Sequence, residues 1–408
     1  MIIQSLRAEK TLNSRGEETI LIIAEAKKGK VFAAAPSGSS KGVHEAPRFS
    51  SKGIGFSISF INLIGKRLVR SKTTFKSFED LEKVESIIKE YDKTENWSLI
   101  GGSALFALEA VILKAIAHEE EKELWNFLNP NAKKLPLPLG NCIGGGKHSK
   151  KEMHPDIQEF LILPQSKHFY DAYFINLQAY KLAKRLVLQL DNTWDGEITD
   201  EKAISPNLNA DQIFSLLKEI NKNVESKFNT SLSLGMDVAA SSFYEEGDYV
   251  YENPEKIRNP EEQLNYIKEL IEKYSLYYVE DPFEEDDFDS FAKLLSQTPN
   301  TLIVGDDLTV TNPKRLKKAI KKKSVNAVIV KPNQNGSLLG TKEFVDLAKQ
   351  NKIVPIISHR SGETLDSTIA DLAVAWEIPM IKTGILGKER LAKLHKLLKI
   401  ERALSKKH

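Results

Sequence analysis

The sequence predicts an α/β fold in which an eight-stranded (β/α) barrel follows a smaller α+β cap domain. Three observations support this prediction. From about residue 231 onward, apolar strand patterns alternate with amphipathic helix patterns, and two more apolar strands precede them. A proline-rich stretch at 129–141 separates this region from a mixed N-terminal one. Because strands that alternate with helices form parallel sheets with buried strands, and eight are present, a closed barrel fits better than an open sheet.

The N-terminal region, which we predict as the cap domain over residues 1–128, mixes strand and helix patterns. Residues 18–27 and 31–36 form a predicted strand pair. Residues 102–128 carry apolar side chains at helical spacing, with acidic and basic residues on the opposite face. The proline-rich stretch then marks a boundary, and the barrel domain is predicted over residues 135–408.

The barrel region contains eight predicted strands, of which the last six each end in a titratable side chain. The strands are 135–141, 158–164, 232–237, 276–281, 301–307, 326–331, 353–359 and 379–384. The titratable residues at the ends of the last six are Asp237, Glu280, Asp306, Lys331, His359 and Lys382. A single carboxylate after a strand is often a helix N-cap. Six titratable residues in register predict an active site instead, since the C-terminal strand ends of a barrel converge on one mouth.

Three of these residues are carboxylates, namely Asp237, Glu280 and Asp306. Carboxylates that meet at one mouth repel one another unless a cation neutralises them, and oxygen-only ligands suit Mg²⁺. The three residues are therefore the predicted metal ligands.

Lys331 follows the apolar strand residues 327–330, which is an unusual place for a charged side chain. A lysine that acts as a base near neutral pH needs its pKa lowered by about 3 units from about 10.4. Burial and neighbouring cations such as Mg²⁺ and Lys382 can lower the pKa that far. We therefore interpret Lys331 as a base, with a buried salt bridge as the alternative.

Composition and motifs exclude several classes of function. The single cysteine, Cys142, rules out a disulfide framework and a cysteine-rich metal site. The net charge of +2 gives no reason to expect a nucleic-acid partner, and the basic run at 314–323 fits the exposed face of a helix. The two common nucleotide-binding glycine motifs do not occur. With no signal-peptide pattern and no apolar run of about 18 residues, we expect a cytoplasmic protein without a membrane partner.

Motifs that contain these strand-end residues resemble those of the enolases, or phosphopyruvate hydratases. The matching motifs are PSGSSKGVHEA at 36–46, QEFLILP at 158–164, YVEDPFEEDDF at 278–288, VGDDLTVTNP at 304–313, SHRSGE at 358–363 and IKTG at 381–384. The likeness extends over nearly the whole chain and implies a divergent member of the enolase family with an enolase-type barrel. The implied activity is a glycolytic lyase reaction. It interconverts 2-phosphoglycerate and phosphoenolpyruvate plus water, by abstraction of the C2 proton and loss of the C3 hydroxyl.

The resemblance also implies which residues carry out the reaction. Lys331 would remove the C2 proton. Glu201, assisted by Glu159, would protonate the departing hydroxyl. His359 would help to position the substrate, and His148 would close over it on a mobile loop.

The resemblance further implies the binding groups. Arg360 and Ser361 would bind the substrate phosphate, while Lys382 would stabilise the charge that develops after proton removal. Two Mg²⁺ ions are implied for each site. The three predicted carboxylates would hold the first, and Ser40 would supply oxygen ligands to the second, beside the substrate, when its loop closes.

Three departures from the family pattern affect these assignments. Lys202-Ala203 replaces two glycines that usually follow the acid, and the loop is strained if either position needs a positive φ. The loop at 149–156 is longer than usual, which makes His154 an alternative to His148. Residues 400–408 lack the usual aromatic and basic ending.

The resemblance implies a homodimer or higher homo-oligomer, in which Arg15 contacts the partner chain. Two other functions stay open at this point. One is a catalytically impaired enolase-like binding protein, and the other is a metal-assisted acid–base lyase of the same superfamily that acts on a different carboxylate. Arg360 and Ser361 favour a phosphorylated substrate, and the presence of both Lys331 and Lys382 favours turnover.

Overall fold

The computed structural model of the protein describes residues 1–38, 44–149 and 154–406. The chain begins with an antiparallel sheet of three strands in sequence order, β1 (Ser5–Leu12), β2 (Glu18–Ala26) and β3 (Gly29–Ala34). β2 and β3 form the predicted pair. β1 is absent from the predicted elements because Leu6 and Ala8 are its only buried residues.

Four helices complete this region, and the longest of them is almost wholly buried. They are α1 (Ile54–Arg70), α2 (Leu81–Lys89), α3 (Gly102–Glu119) and α4 (Leu124–Leu128). The prediction of one helix over 102–128 is wrong, because α3 ends before Glu121, which adopts a left-handed φ of 56°. α3 lies against β2 and β3 and fixes the sheet to the rest of the chain.

Eight strands form a closed barrel, as predicted. They are β4 (Leu137–Gly144), β5 (Glu159–Pro164), β6 (Leu232–Asp237), β10 (Tyr278–Glu280), β11 (Leu302–Gly305), β12 (Ala327–Val330), β13 (Val354–Ser358) and β14 (Met380–Lys382). Around the barrel their order is β10, β11, β12, β13, β14, β4, β5, β6. The prediction of an α/β barrel after an α+β region is thus confirmed. One strand departs from the parallel pattern, since β5 runs antiparallel to both β4 and β6.

Helices surround the barrel, and a small sheet lies beside it. The helices are α5 (Phe169–Leu190), α6 (Ala210–Phe228), α7 (Pro260–Tyr274), α8 (Phe288–Gln297), α9 (Pro313–Lys322), α10 (Pro332–Asn335), α11 (Leu338–Gln350), α12 (Thr368–Ala375) and α13 (Lys388–Ser405). The small antiparallel sheet consists of β7 (Tyr244–Glu245), β8 (Asp248–Glu252) and β9 (Glu255–Arg258).

Asparagine side chains fix the start of three outer helices. Asn259 accepts hydrogen bonds from the backbone N–H groups of Glu261 and Glu262, and Pro260 occupies the first helical position of α7. Asn209 caps α6 and Asn312 caps α9 in the same way. An N-cap oxygen and a proline at the first position satisfy or remove N–H groups that a helix leaves unpaired, so the local sequence specifies these boundaries.

Side chains alternate between the barrel interior and the layer beneath the helices, because successive residues of a strand point to opposite faces. The interior core consists of Leu139, Leu161, Leu163, Tyr278, Val304, Ala327, Ile329, Ile356 and Met380. Val328 and Val330 belong to the other, larger core, which continues into the N-terminal region. The residue that follows Ile329 by two positions is Lys331, and its side chain therefore points into the mouth.

The N-terminal region packs against the mouth of the barrel. Ser37 and Gly362 exchange two backbone hydrogen bonds of 2.8 Å, and the Ser14 N–H donates to the Glu363 carbonyl at 2.7 Å. The division of the chain at residues 128 and 135 stays a prediction. Within the described ranges, no helix combines the length and the apolar character that crossing a membrane requires.

Candidate active site

A polar cavity of about 170 Å³ lies at the C-terminal mouth of the barrel. Its wall contains His148, Glu159, Glu201, Asp237, Asp306, Lys331, His359, Arg360, Ser361 and Lys382. Glu280 has no exposed surface and is bonded to Lys382, which lines the cavity. Of the predicted site residues, only Ser40 lies outside the described part of the chain.

The period of two along the strands explains why these side chains meet. Asp306 follows the interior residue Val304 by two positions, and Lys382 follows the interior residue Met380 by two. Glu159 belongs to the same group for a different reason. β5 is reversed, so its first residue rather than its last stands at the mouth, opposite Asp237.

Lys382 lies at the centre of the carboxylates. Its Nζ donates to Asp237 Oδ2 and to Glu280 Oε2, each at 2.8 Å, and lies 3.3 Å from Glu159 Oε2. Burial disfavours the ammonium form, but the three carboxylates together raise the pKa of Lys382 well above its ordinary value. Lys382 is therefore a permanent cation that balances charge at this site.

Glu280 is the most deeply buried of the predicted metal ligands. Burial and the neighbouring Asp237 raise its pKa to about 8, although Lys382 opposes the shift. The Tyr278 hydroxyl donates to Glu280 Oε2. Among the described residues, none donates a hydrogen bond to Glu280 Oε1.

Lys331 forms an ion pair with Asp306 Oδ2, and its side chain is 16% exposed. The sequence predicts that burial and neighbouring cations lower the pKa of Lys331. Burial, Arg360 and Lys382 do act in that direction, but the carboxylates of Asp306 and Glu280 oppose them, and the pKa of Lys331 lies above its ordinary value. The salt bridge that the sequence left as an alternative is thus present. A lysine held in this way becomes a base only when Asp306 is drawn towards another cation.

A second group of side chains adjoins Lys382 in the cavity. Ligand atoms of His148, Glu159 and Glu201 all lie within 4.8 Å of one another. His359 Nε2 lies 3.3 Å from Glu201 Oε2, and the Asn141 amide donates to the same oxygen at 3.4 Å.

The surroundings shift the pKa values of the two glutamates of this group in opposite directions. Burial raises the pKa of Glu159 well above its ordinary value. Burial also acts on Glu201, but the imidazoles of His359 and His148 hold the pKa of Glu201 well below its ordinary value. Two adjacent carboxyls do not both ionise at low cost, and these shifts favour Glu159 as the one that keeps a proton.

The two histidines that could serve the loop over the site lie in different places. His148 is buried, and its Nε2 is 4.0 Å from Glu201 Oε1. His154 Nδ1 is 2.9 Å from the Pro155 carbonyl oxygen, and the side-chain amide of Asn253 donates to the His154 carbonyl. The structure therefore brings His148, rather than His154, to the acid.

Arg360 and Ser361 stand on the strand-end loop after β13. Both terminal nitrogens of Arg360 bond to the Glu45 carboxylate at 3.0 Å, and the guanidinium lies against Gly38. A Cβ at Gly38 would come within 2.0 Å of Arg360 Nη2, so only glycine allows this approach. The Arg15 guanidinium donates to Ser361 Oγ at 3.4 Å.

Two buried cations on α13 hold this loop from behind. Arg390 Nη2 donates to the Ser361 carbonyl at 2.7 Å, and Lys393 Nζ donates to Glu363 Oε2 at 2.6 Å. Both side chains are almost fully buried. The backbone that presents Arg360 is therefore anchored by charge-assisted hydrogen bonds.

The acid loop contains the strain that the sequence predicted. Lys202, which replaces a usual glycine, adopts a left-handed φ of 69°, whereas Ala203 has a negative φ. The Tyr180 hydroxyl donates to the Lys202 carbonyl at 2.9 Å, and this bond fixes the residue after Glu201.

Several cavity or near-cavity residues were not predicted. Among them are Glu45, Gln158, Asp307 and Gln334, of which the first three line the cavity. The Gln158 amide donates to Asp237 Oδ2 at 3.5 Å. Glu45 and Gln158 lie inside two of the quoted motifs, so the motifs could have identified them as site residues. Gln334 lies one turn beyond Lys331, and its sequence context carries no comparable signal.

The donor set fits a hard divalent cation. Asp237 and Glu280 both accept hydrogen bonds from Lys382, and Asp306 forms an ion pair with Lys331. Glu280 Oε1 is a buried acceptor without a donor among the described residues. Within the described ranges, carboxylate oxygens of Asp281, Asp306 and Asp307 lie within 4.8 Å of one another, whereas Asp237, Glu280 and Asp306 do not form a group of that spacing. Oxygen-only ligands of this kind are those that Mg²⁺ prefers.

Comparisons with known proteins agree over the whole chain. The sequence model described as the enolase C-terminal TIM barrel domain matches residues 132–408, and that of the enolase N-terminal domain matches residues 3–128. The enolase of Methanosphaera stadtmanae is 39% identical over 99% of this chain and 97% of its own length. The enolase of Pyrobaculum aerophilum is 38% identical, over 100% and 98% respectively. That of Thermoplasma acidophilum is 35% identical, over 99% of each. The chain therefore belongs to the enolase family of carbon–oxygen lyases.

Proposed function

We propose that the protein interconverts 2-phosphoglycerate and phosphoenolpyruvate plus water, with Mg²⁺ as its cofactor. The observation that carries this proposal is that one cavity contains both a lysine that can serve as a base and a pair of adjacent carboxyls that can serve as an acid. Lys331 pairs with Asp306, whereas Glu159 and Glu201 lie together, with Glu159 3.3 Å from Lys382. Removal of a proton at one carbon and loss of hydroxide at the next require a base and an acid in this arrangement.

The residues present assign each part of the reaction. Lys331 takes the C2 proton as a neutral amine, after Asp306 no longer holds its ammonium group and that group has lost one proton to solvent. Asp237, Glu280 and Asp306 are the residues that would hold Mg²⁺. When bound there, Mg²⁺ supplies positive charge beside the substrate carboxylate, where negative charge builds up as the C2 proton leaves.

The acid side completes the reaction. Burial raises the pKa of Glu159 well above its ordinary value and so favours its protonated form, and Glu201 lies close enough to share the proton. The pair therefore delivers a proton to the C3 hydroxyl as it departs, with Glu201 as the group that faces His359. His148 beside Glu201 keeps water from this end of the cavity when substrate is bound.

Arg360 and Ser361 account for a phosphorylated substrate. A planar guanidinium gives a bidentate match to phosphate oxygens, as it does here to a carboxylate. We further propose that each site takes two Mg²⁺ ions, that Ser40 binds the second ion beside the substrate, and that Lys382 binds the substrate. The chain is proposed to form a homodimer or higher homo-oligomer in the cytoplasm.

One assay tests the proposed function. Purified protein is mixed with 2-phosphoglycerate and Mg²⁺, and phosphoenolpyruvate is followed by its ultraviolet absorbance. We expect steady production that stops when a chelator removes Mg²⁺. A folded protein that gives no product at high concentration would overturn the proposal and favour an enolase-like binding protein.

A further inference from the structure

Gln334 connects parts of the site that no element of secondary structure connects. It lies in α10, one turn after Lys331, and its side chain is 2% exposed. The amide nitrogen donates to Glu45 Oε1 and to Asp306 Oδ1, each at 3.2 Å. The amide oxygen accepts from the Thr311 hydroxyl at 2.9 Å.

The chemistry of these contacts requires an amide. Its NH₂ group has two N–H bonds, and each is directed to a different carboxylate, while its oxygen faces a hydroxyl. A glutamate of the same length would set a third carboxylate against Glu45 and Asp306. An apolar side chain would leave both carboxylates without this donor.

The contacts continue from Gln334 to both ends of the site. Through Glu45 they reach Arg360, whose two terminal nitrogens bond to that carboxylate. Through Asp306 they reach the Lys331 ammonium. Thr311 Oγ1 also accepts from the Lys331 backbone N–H at 2.9 Å. The Gln334 side-chain amide is therefore connected to Lys331 twice, through Asp306 at its nitrogen and through Thr311 at its oxygen.

The backbone of Gln334 strengthens the same connection. Its carbonyl accepts from the Ala46 N–H at 2.9 Å, which fixes the residue next to Glu45. Glu45 thus cannot shift relative to the barrel without breaking a backbone bond as well as a side-chain bond.

We propose that Gln334 is a positioning residue that sets the spacing between the phosphate-binding and the carboxylate-binding ends of the site. This inference rests on the proposed function, because it assigns Arg360 to the phosphate and Asp306 to Mg²⁺. Gln334 acts through Glu45 on the first and directly on the second. Its loss should therefore weaken the binding of both an anion and a cation, which a simple loss of stability does not do.

The test compares Gln334→Met, which keeps the length and volume of the side chain, with Gln350→Met, the same substitution at an exposed position of α11. Titration calorimetry measures the binding of inorganic phosphate and of Mg²⁺, and neither measurement requires turnover. We expect Gln334→Met to weaken each at least fivefold and to raise KM for 2-phosphoglycerate about tenfold. Gln350→Met should change each value less than twofold. If Gln334→Met changes none of them more than twofold, the proposal is wrong.

A double-mutant cycle with Glu45→Gln then identifies the route to Arg360. If Gln334 acts through Glu45, the two substitutions share one effect, and adding Glu45→Gln to Gln334→Met should weaken phosphate binding by less than a further twofold. Full additivity would overturn the route. Should Gln334→Met fail to fold, Thr311→Val removes only the hydroxyl that orients the amide. This variant should also weaken the binding of both phosphate and Mg²⁺. Turnover by the parent protein tests the proposed function separately.

Discussion

Glu159, the first residue of β5, stands directly opposite Asp237, the last residue of β6. The pairing exists because β5 runs against its neighbours, and it brings a glutamate of the acid pair next to a predicted metal ligand. Both side chains are almost fully buried, and Lys382 bonds to Asp237 and lies within 3.3 Å of Glu159. The two halves of the reaction thus share one cation.

Replacing Lys382 by methionine should destabilise the protein strongly. Three carboxylates would lose their shared cation, and an uncompensated buried charge costs about 3–5 kcal/mol. Because Mg²⁺ binds among the same oxygens, it should restore more stability to this variant than it adds to the parent. Chemical denaturation with and without Mg²⁺ measures both effects. Lys399→Met, at an exposed position of α13, is the control; equal stability of the two variants would contradict the prediction.

Lys331→Ala should abolish exchange of the substrate C2 proton with solvent. The variant lacks the group that takes the proton, so we expect a loss of at least about a thousandfold, consistent with removal of a general base and its charge. Mg²⁺ binding should persist, since Asp306 is freed from its ion pair. Proton NMR in deuterated water measures exchange, and calorimetry measures Mg²⁺ binding. Lys321→Ala on α9 serves as the control, and exchange at the parent rate would remove Lys331 from this role.

Lys202→Gly should stabilise the protein slightly. A side chain in the left-handed region costs about 1 kcal/mol or more, and glycine avoids it while losing part of that gain to its greater freedom in the unfolded chain. We expect the free energy of unfolding to rise by about 0.5 kcal/mol, with activity unchanged or higher. Lys202→Ala keeps the strained backbone and should give no gain. A lower stability for the glycine variant would show that φ is not the source of strain.

Asp371 should make stability depend on pH. It lies near Lys396 Nζ, at 3.2 Å, and burial raises its pKa to about 6 even though this ammonium opposes the shift. The unfolded value is about 3.9, so the folded state binds the proton more tightly. The contribution of this group to folding is therefore complete below about pH 4 and is lost as the pH rises through 6.

Asp371→Asn removes this dependence and keeps an oxygen for the Trp125 N–H, which donates to Asp371 Oδ1. The difference in unfolding free energy between the variant and the parent should shift in favour of the variant by about 3 kcal/mol between pH 4 and pH 7. Denaturation curves at several pH values measure it. Asp346→Asn, on the exposed side of α11, should show no comparable change. A constant difference across this range would contradict the assignment.

The sequence predicted the barrel well because its signal is local. Apolar strands such as 326–331 end where the structure ends them to within a residue or two, and their spacing of two determines which side chains meet at the mouth. The direction of β5 could not be predicted in this way. A run of four apolar residues such as 160–163 is typical of a buried strand whichever way the strand runs. The one indication of an antiparallel pair is that no helix pattern lies between residues 141 and 158, since antiparallel strands can be joined without a helix.

The electrostatics of the site could not be predicted in the same way. The positions of Lys331 and Asp306 followed from the strand pattern, but the pattern does not say which cation each carboxylate holds. Glu201 and Glu159 were a recognisable pair. Which of the two glutamates keeps the proton depends on His359 and His148, and these histidines come from distant segments of the chain. Gln334 was missed because a buried amide after a strand is common and gains meaning only from its partners.

The backbone bonds between Ser37 and Gly362 join segments that are 325 residues apart. During synthesis the loop that carries Arg360 therefore leaves the ribosome long after the segment around Ser37. The mouth of the barrel cannot close on a nascent chain until that loop has been made. Until then, the apolar faces of β2, β3 and α3 have only part of their final surroundings, and this is the stage at which such a chain is most exposed to aggregation.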